Sequence, residues 1–502
     1  MEKETLEIVS LNVSSLIICE ECQDVPSNCS KDANSLKPVS YIEGESDNLR
    51  IADFSYNNIS SINAGDIVAI KLIYLNLSRN QIKTIHTEAF LEITLLISLD
   101  LSHNKIVQIF HGTFSALENL EELYLQGNPF QVAVDMFKGL YSLKMMEVSF
   151  YTVCCARPNS IYNVKCVAPV NEISSCEQLI AVPPLNVAIW YIALIASFGN
   201  MTVFLYNASN FNSKKAGAYH ILTLNLSCAD FLMGVYLYTI AIINLHYTGQ
   251  YGLNDYVWRH STICTLSGII ATLSSEVSAF IVLLITMDRF IAVKYPFSDF
   301  KLTRKKGSVL LFIALTLSLF LALIPLIPDP NLENFYAQSG ICVSLPLSIT
   351  RKSGWQYSMI VYVGINFLLF LGILVGQISI FVEVVSVGRN VRSTKTKQRE
   401  SSLAMTLFAV VVTDVFCWLP IGTIGMLTFF GIEVQPDVYA WMIVVVLPIN
   451  SAINPILYTL TAFIRNKVMS HNLFGFRDQK KSSQRAISSM SGTPSRNRDI
   501  KH

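Results

Sequence analysis

Charge is what this sequence has least of. Only 15% of its 502 residues are Asp, Glu, Lys or Arg, against roughly 25% in an ordinary soluble domain. A water-soluble globule of this length is therefore excluded. Nor is there a basic excess: 37 Lys and Arg face 36 Asp and Glu, a formal net charge of +1, so no nucleic-acid partner is expected. No nucleophile–base constellation and no metal box has the right spacing, which reads as not an enzyme. An inverted repeat and a polar pore stripe, the marks of transporters and channels, are missing as well.

What is present in abundance is apolar sequence, at 52% of the chain. It is concentrated after Leu185, where long apolar runs alternate with short charged gaps. A helix needs about 20 mostly apolar residues to cross the hydrocarbon core, and only helices or closed barrels satisfy their own backbone there. Seven such runs are read, at 187–208, 218–243, 263–291, 308–328, 356–384, 402–430 and 438–461. The gaps after the first, third and fifth hold twelve Lys and Arg; the gaps on the other side hold three, Arg259, Arg351 and Lys352. Positive charge stays in the cytoplasm. The expected topology is a multi-pass plasma-membrane protein with its amino terminus outside.

Before the membrane, one frame repeats: Leu72-x-x-Leu75-x-Leu77-x-x-Asn80, Leu96-x-x-Leu99-x-Leu101-x-x-Asn104 and Leu120-x-x-Leu123-x-Leu125-x-x-Asn128, with the asparagines 24 residues apart. This is the leucine-rich-repeat pattern, one strand and a return segment per turn of a solenoid. Weaker copies at Leu49–Asn57 and Leu143–Tyr151 bring the total to about five. The column between the core leucines points to the concave side and reads Asp53, Asn76, Asp100, Tyr124 and Glu147, with Glu122 beside it. An acidic stripe on a curved scaffold suits a basic peptide or protein; a merely solvated strand face is the plain alternative.

Cys154, Cys155, Cys166 and Cys176 follow the last repeat and read as a disulfide-stapled cap and hinge, while Cys19, Cys22 and Cys29 suit an amino-terminal cap. Three is an odd number, and Glu2, Glu4 and Glu7 stand where a signal peptide would be basic. Both features suggest a true beginning upstream of Met1. Cys264 and Cys342 lie on the outer side and can pair; Cys228 and Cys417 read as reduced packing residues within the membrane. Sequons at Asn12, Asn28, Asn58 and Asn76 fall outside and are open to glycosylation.

Ionisable groups inside a bilayer are costly and are functional hypotheses by default. Asp230 lies in the middle of the second run, and Ser278, Asn450, Ser451 and Asn454 are the polar groups that can complete a small cation cage around it. A neutral Asp in a packing network is the alternative. Glu276 and Asp414 are also within helices, and spacing assigns them no partner. Asp288 and Arg289 end the third helix; Arg289 can pair with its neighbour or reach Glu400 at the start of the sixth, forming a releasable clasp. Pro420, after Trp418, and Pro455 mark where helices can kink.

Asn200, Leu226-x-x-x-Asp230, Cys264, Asp288-Arg289-Phe290, Cys417-Trp418-Leu419-Pro420 and Asn454-Pro455-Ile456-Leu457-Tyr458 occur together and in order. Over residues 185–476 this set resembles the rhodopsin-like G-protein-coupled receptors. With the repeats in front, the chain looks like a leucine-rich-repeat-containing receptor. Gly249-Gln-Tyr251, Trp258, Leu273-Ser-Ser-Glu-Val-Ser278, Leu447-Pro-Ile-Asn-Ser-Ala452 and Val153-Cys-Cys-Ala156 are similar to the relaxin peptide receptors.

The resemblance implies a Cys264–Cys342 disulfide, an allosteric sodium ion at Asp230, a Trp418 pivot and an Arg289 that contacts a heterotrimeric G protein. It also implies a relaxin-like hormone on the acidic face, coupling to adenylate cyclase, and arrestin and receptor kinases acting on the serine-rich tail. Three departures stand out, the first two being that relaxin receptors carry about twice as many repeats and a calcium-binding module ahead of them. Here no Asp-Cys-x-Asp-x-Ser-Asp-Glu run is present, and Asp288-Arg289 replaces Glu-Lys.

The expected fold is an α-helical seven-transmembrane bundle with an extracellular α/β leucine-rich-repeat solenoid. Its divisions are a cap region (1–48), repeats (49–153), a Cys-rich cap and hinge (154–184), the bundle (185–462) and an amphipathic helix with tail (463–502). The expected function is hormone reception through a G protein. A leucine-rich-repeat adhesion or decoy protein that does not signal is the alternative.

Overall fold

The computed structural model describes residues 50–133, 135–156, 164–169, 171, 173–209, 217–295, 302–343, 353–390, 412–413, 415–432 and 434–457, together with the strand Ile8–Ser10. Four expectations lie wholly outside these residues: the sequons at Asn12 and Asn28, the cysteines at 19, 22 and 29, the amphipathic tail helix, and the residues Glu400, Asp414 and Tyr458.

Each repeat buries its leucines because a single turn has nothing else to bury them against. Leu72, Leu75, Leu77, Leu96, Leu99, Leu101, Leu120, Leu123 and Leu125 are all fully buried. Their strands stack in parallel with the central residue in register, Ala52 beside Leu75, Leu75 beside Leu99, Leu99 beside Leu123, and Leu123 beside Met146. The parallel sheet has seven strands, running from Ile8–Ser10 to Lys165–Val167. On the return side, Phe90, Phe114 and Phe137 stack at centroid distances of 6.0 and 6.3 Å, a second spine under the first.

The repeat asparagines close the turns. Asn104 donates through Nδ2 to the carbonyls of Leu77, Leu101 and Ser102 at 2.9, 3.0 and 3.2 Å. Its Oδ1 accepts from the Ile82 amide at 3.1 Å. Asn80 does the same for Phe54, Leu77, Ser78 and Ile59, and Asn128 for Leu101, Leu125 and Ile106. The residue before each asparagine takes a left-handed backbone: Tyr56, Arg79 and His103 have φ of 58, 54 and 52°. In the last copy the position is Gly127, φ 78°, where a Cβ would lie 2.9 Å from the Cα of His103. Space requires glycine there, since the other copies hold the same backbone with a side chain.

Among the described residues six helices are long and apolar enough to cross a membrane: Pro183–Ser209, Ala218–His246, Thr262–Lys294, Arg304–Leu326, Trp355–Ser386 and Asp437–Leu457. The shorter apolar helix Val415–Phe429 stands at the sixth position. These are called the first to seventh membrane helices. The second and third hold most of the buried polar groups, Asp230, Glu276, Ser274 and Ser278 among them. Three helices widen by a π-helical stretch, at Ile195–Gly199, Met359–Ile365 and Met442–Val446. The first two are followed directly by Asn200 and Asn366, and the third ends five positions before Ser451. Such widened turns rotate the next side chains off the regular helix face.

Candidate functional site

Three connected regions carry the polar chemistry. The outermost is the concave sheet. The strands are three residues long, and both flanking positions face the concavity around a buried centre, as in Tyr74–Asn76 and Glu122–Tyr124. The predicted column Asp53, Asn76, Asp100, Tyr124 and Glu147 therefore lies on one face, and Glu122 heads a second column with Ile51, Tyr74, Ser98 and Met145. Sequence reasoning missed that second column because it followed only one of the two positions. The sheet also ends on the exposed basic residue Lys165.

Part of the acidic stripe is structural. Asp53, Asn76 and Asp100 each accept, through Oδ1, the backbone amide two residues on, at 2.9, 3.0 and 2.8 Å. These side chains shape the bend that leaves the strand, and each of the two carboxylates keeps its second oxygen. Asn76 thus has its side chain engaged on the concave face, whereas the other described sequon, Asn58, is exposed. The stripe still sets the local field. Burial and then the carboxylates of Asp100, Asp53 and Glu122 push the Tyr74 phenol up. The Tyr124 phenol is raised by burial and by Glu122, whose Oε2 it contacts at 3.4 Å.

The second region joins the solenoid to the bundle. The cap cysteines pair as Cys154–Cys166 and Cys155–Cys176, as the sequence suggested for a stapled cap, and Cys264 pairs with Cys342. The hinge helix Tyr151–Cys155 lies against the loop helix Tyr251–Arg259, which follows the second membrane helix. Tyr151 donates its hydroxyl to Asp255 Oδ1 at 3.1 Å, and Arg259 Nε donates to the same oxygen at 2.8 Å. Arg259 Nη1 reaches the Gln338 carbonyl at 3.3 Å. The backbone adds two bonds, Gly249 N–H to Glu177 O and Gly252 N–H to Cys176 O, at 2.7 and 2.9 Å. A Cβ at Gly252 would sit 2.4 Å from Cys155 Sγ, so only glycine allows this approach.

Burial, and then the Asp255 carboxylate, hold the Tyr151 phenol well above its ordinary range, so it remains a donor. A bond from a neutral donor to a buried charged acceptor is worth about 1.5–3 kcal/mol. Tyr151→Phe should therefore loosen the hinge: amide exchange at Gly249 and Gly252 should accelerate roughly tenfold or more, about 1.4 kcal/mol or above. Unchanged exchange would show that the backbone bonds alone hold it. The sequence signal for this latch was Asp255-x-x-x-Arg259, one helical turn apart, and it went unread.

The third region is inside the bundle. Asp230 is fully buried. Its Oδ1 accepts from Ser278 Oγ at 3.0 Å and Ser451 Oγ at 2.9 Å, and its Oδ2 from Asn454 Nδ2 at 2.7 Å. Three of the four predicted partners thus converge on it from the third and seventh helices; Asn450 precedes Ser451 on the seventh. Asn200, unassigned beforehand, donates to the carbonyls of Ala196 and Ser451, both at 2.8 Å, which ties the first helix to the seventh. Gly199 admits the Pro455 ring, which a Cβ would meet at 2.7 Å. Trp418 packs in a buried cluster with Ala279, Phe370 and Cys417, and Pro420 follows it on the same helix.

At the cytoplasmic end Arg289 does not pair with its neighbour Asp288, while Glu400, the other expected partner, lies outside the described residues. Its guanidinium lies over the Tyr219 ring, 3.9 Å from the centroid, rather than on the Asp288 carboxylate. A planar, delocalised cation stacks well on an aromatic face. One further correction concerns Cys228, which is exposed on the outside of the second helix and not packed within the bundle, while Cys417 is buried as expected.

Comparison with known proteins fits this geometry. Residues 199–458 match the family model for the 7 transmembrane receptor (rhodopsin family), and residues 70–130 match the leucine rich repeat model. The chain is 35% identical over 329 residues to the G-protein coupled receptor GRL101 of Lymnaea stagnalis, covering 65% of this chain and 29% of that one. It is 33% identical over 309 residues to human Relaxin receptor 2, covering 60% and 40%. Human Relaxin receptor 1 is 31% identical over 317 residues, covering 63% and 42%. The alignments thus span less than half the length of these relatives. The family model covers more than half of this chain, and the chain belongs to the rhodopsin family of seven-transmembrane receptors, in a form that carries leucine-rich repeats.

Proposed function

We propose that the chain is a plasma-membrane receptor that takes a basic, relaxin-like hormone on its concave sheet and activates a G protein at its cytoplasmic end, leading to adenylate cyclase. The observation that carries this reading is the single acidic face formed by Asp53, Asp100, Glu122 and Glu147, continuous through the hinge helix with the bundle. Two of the relatives are named as relaxin receptors. A basic hormone is drawn by such a field, and its arginines can fork onto the free carboxylate oxygens. Asp230, Ser278 and Ser451 offer hard oxygen ligands suited to a sodium ion, with Asn450 and Asn454 beside them. Such an ion would supply fixed positive charge between the helices. Arrestin and receptor kinases fit the serine-rich tail.

The test separates charge from structure. Asp53→Asn and Asp100→Asn keep the oxygen that accepts the Ser55 and Ser102 amides, whereas a lysine at either position would break the bend too. With Glu147→Gln added, binding of a fluorescent relaxin-family hormone to intact cells should weaken 2- to 5-fold per charge, about 0.4–1 kcal/mol each. The loss should shrink at high salt. Unchanged affinity in the triple variant would remove the acidic face as the hormone site. Binding with no cyclic AMP response would favour a non-signalling decoy.

A further inference from the structure

Glu276 is the one fully buried carboxylate of the described bundle that the reading above leaves unused. It sits midway along the third helix, and its Oε1 accepts from Asn366 Nδ2 of the fifth helix at 2.8 Å. Its Oε2 is buried with no hydrogen-bond partner, and so is the Oδ1 of Asn366. Both side chains are planar groups of the same shape. With one bond already joining them, a second between the two remaining oxygens would close a ring. Two acceptors cannot satisfy one another, and each is shut off from water.

We propose that Glu276 carries a proton in the folded receptor, and that this proton closes a two-hydrogen-bond acid–amide ring with Asn366 that clasps the third helix to the fifth. In that ring Nδ2–H donates to Oε1, and Oε2–H donates to Oδ1. Both orphan acceptors are then satisfied by a single atom. The π-helical stretch Met359–Ile365 ends immediately before Asn366 and sets the angle at which its amide meets the third helix. Lower down, Gln377 Nε2 donates to Thr286 Oγ1 at 3.0 Å, where Gly376 lets the two helices approach closely.

Among the described residues the surroundings supply no countercharge for an ionised Glu276. On its own helix the nearest basic residue in sequence is Arg289, thirteen positions on, about 20 Å along the axis. The second helix presents Asp230, another acid, and its histidines, His220 and His246, lie at its two ends. Arg304, Lys305 and Lys306 are at the cytoplasmic start of the fourth helix. On the fifth helix the first basic residue is Arg389, at its far end. Val415–Phe429 and Asp437–Leu457 contain no Lys, Arg or His. The other groups that face Glu276 are the phenols of Tyr357 and Tyr362 on the fifth helix, the second of which exchanges a hydrogen bond with Thr272 at 3.0 Å. The loop phenol of Tyr336 neighbours them and donates to the Ala322 carbonyl. A buried carboxylate without a cation is far costlier than a buried carboxylic acid with both hydrogen bonds made.

Infrared spectroscopy of the purified receptor in lipid reads the proton directly, through the carbonyl stretch of a protonated acid above the amide band. Subtracting Glu276→Gln from the wild-type spectrum should leave one acid band, present at neutral pH and shifted in deuterium oxide. Glu276→Gln forms an amide–amide ring of the same shape, so its melting temperature should hold. Asn366→Leu should shift the band and lower the melting temperature. If the glutamine variant does not fold, the Asn366→Leu shift and the deuterium shift carry the test. An acid region identical in wild type and Glu276→Gln, or indifferent to Asn366→Leu, overturns the proposal.

Discussion

Arg289→Ala, compared at matched surface level, reduces guanine-nucleotide exchange on the G protein to the background of untransfected membranes, while surface delivery is unchanged. The expectation follows from where the guanidinium is held. It stands at the cytoplasmic end of the third helix, parked on the Tyr219 ring of the second and not locked in an ion pair with Asp288. A cation–π contact of this kind is worth about 0.5–2 kcal/mol. It is strong enough to hold an arginine at rest and weak enough to be given up to a partner. The contact also fixes the sign of a second substitution. Tyr219→Leu frees the guanidinium and should raise basal exchange, by about 2- to 30-fold across that energy range. Exchange that survives Arg289→Ala would exclude the conventional transducer role. A silent Tyr219→Leu would show that the ring does not restrain it.

Asn104→Ala is the second large effect, and it acts on stability. The alanine leaves the Ile82 amide without its acceptor, and the carbonyls of Leu77, Leu101 and Ser102 each lose one of two donors, keeping Asn80 Nδ2, Asn128 Nδ2 and the Arg79 amide respectively. The orphaned amide costs about 1–3 kcal/mol, and each of the three lost second bonds adds about 0.5–1.5 kcal/mol. Asn104 itself is nearly fully buried, which leaves little room for water to substitute. The sum, on the order of 3 kcal/mol or more, is a large share of a domain's typical margin of about 5–15 kcal/mol. Surface expression should collapse and thermal unfolding of the repeats should move down by many degrees. Surface asparagines such as Asn58 should tolerate the same change. An Asn104→Ala receptor that reaches the surface at wild-type level would mean that the ladder is dispensable.

The periodic parts of the molecule were the readable ones. Leucines at fixed spacing can be buried in one way only, so the solenoid, its strands and its asparagine ladder follow from the residues. The apolar runs gave the first five membrane helices to within a few residues, because length and hydropathy decide them, while the start of the sixth and the end of the seventh lie outside the described residues. The Asp230 cluster was legible for a related reason, since a mid-membrane acid must find polar partners and few were on offer. What stayed hidden depends on relations between distant segments. Glu276 was noticed without a partner because Asn366 is ninety positions away and is presented by a widened turn that no local pattern announces. The Tyr151–Asp255 contact spans two domains, and Arg289 over Tyr219 depends on the packing of two helices. The concave columns were half read, because a three-residue strand exposes both flanking positions.

The asparagine ladder also gives the solenoid a direction. Asn80 satisfies Ile59, Asn104 satisfies Ile82 and Asn128 satisfies Ile106, so in every case the closing group belongs to the turn that comes later in the chain. A polypeptide emerging amino end first therefore accumulates coils that are unfinished until their successor arrives. The final coil has no successor asparagine. There Ser149 accepts the Gly127 amide, and the stapled hinge helix caps the stack. Assembly of the horseshoe is thus completed by the same short segment that docks on the bundle, so maturation of the outer domain and its attachment to the membrane domain converge on one place in the chain.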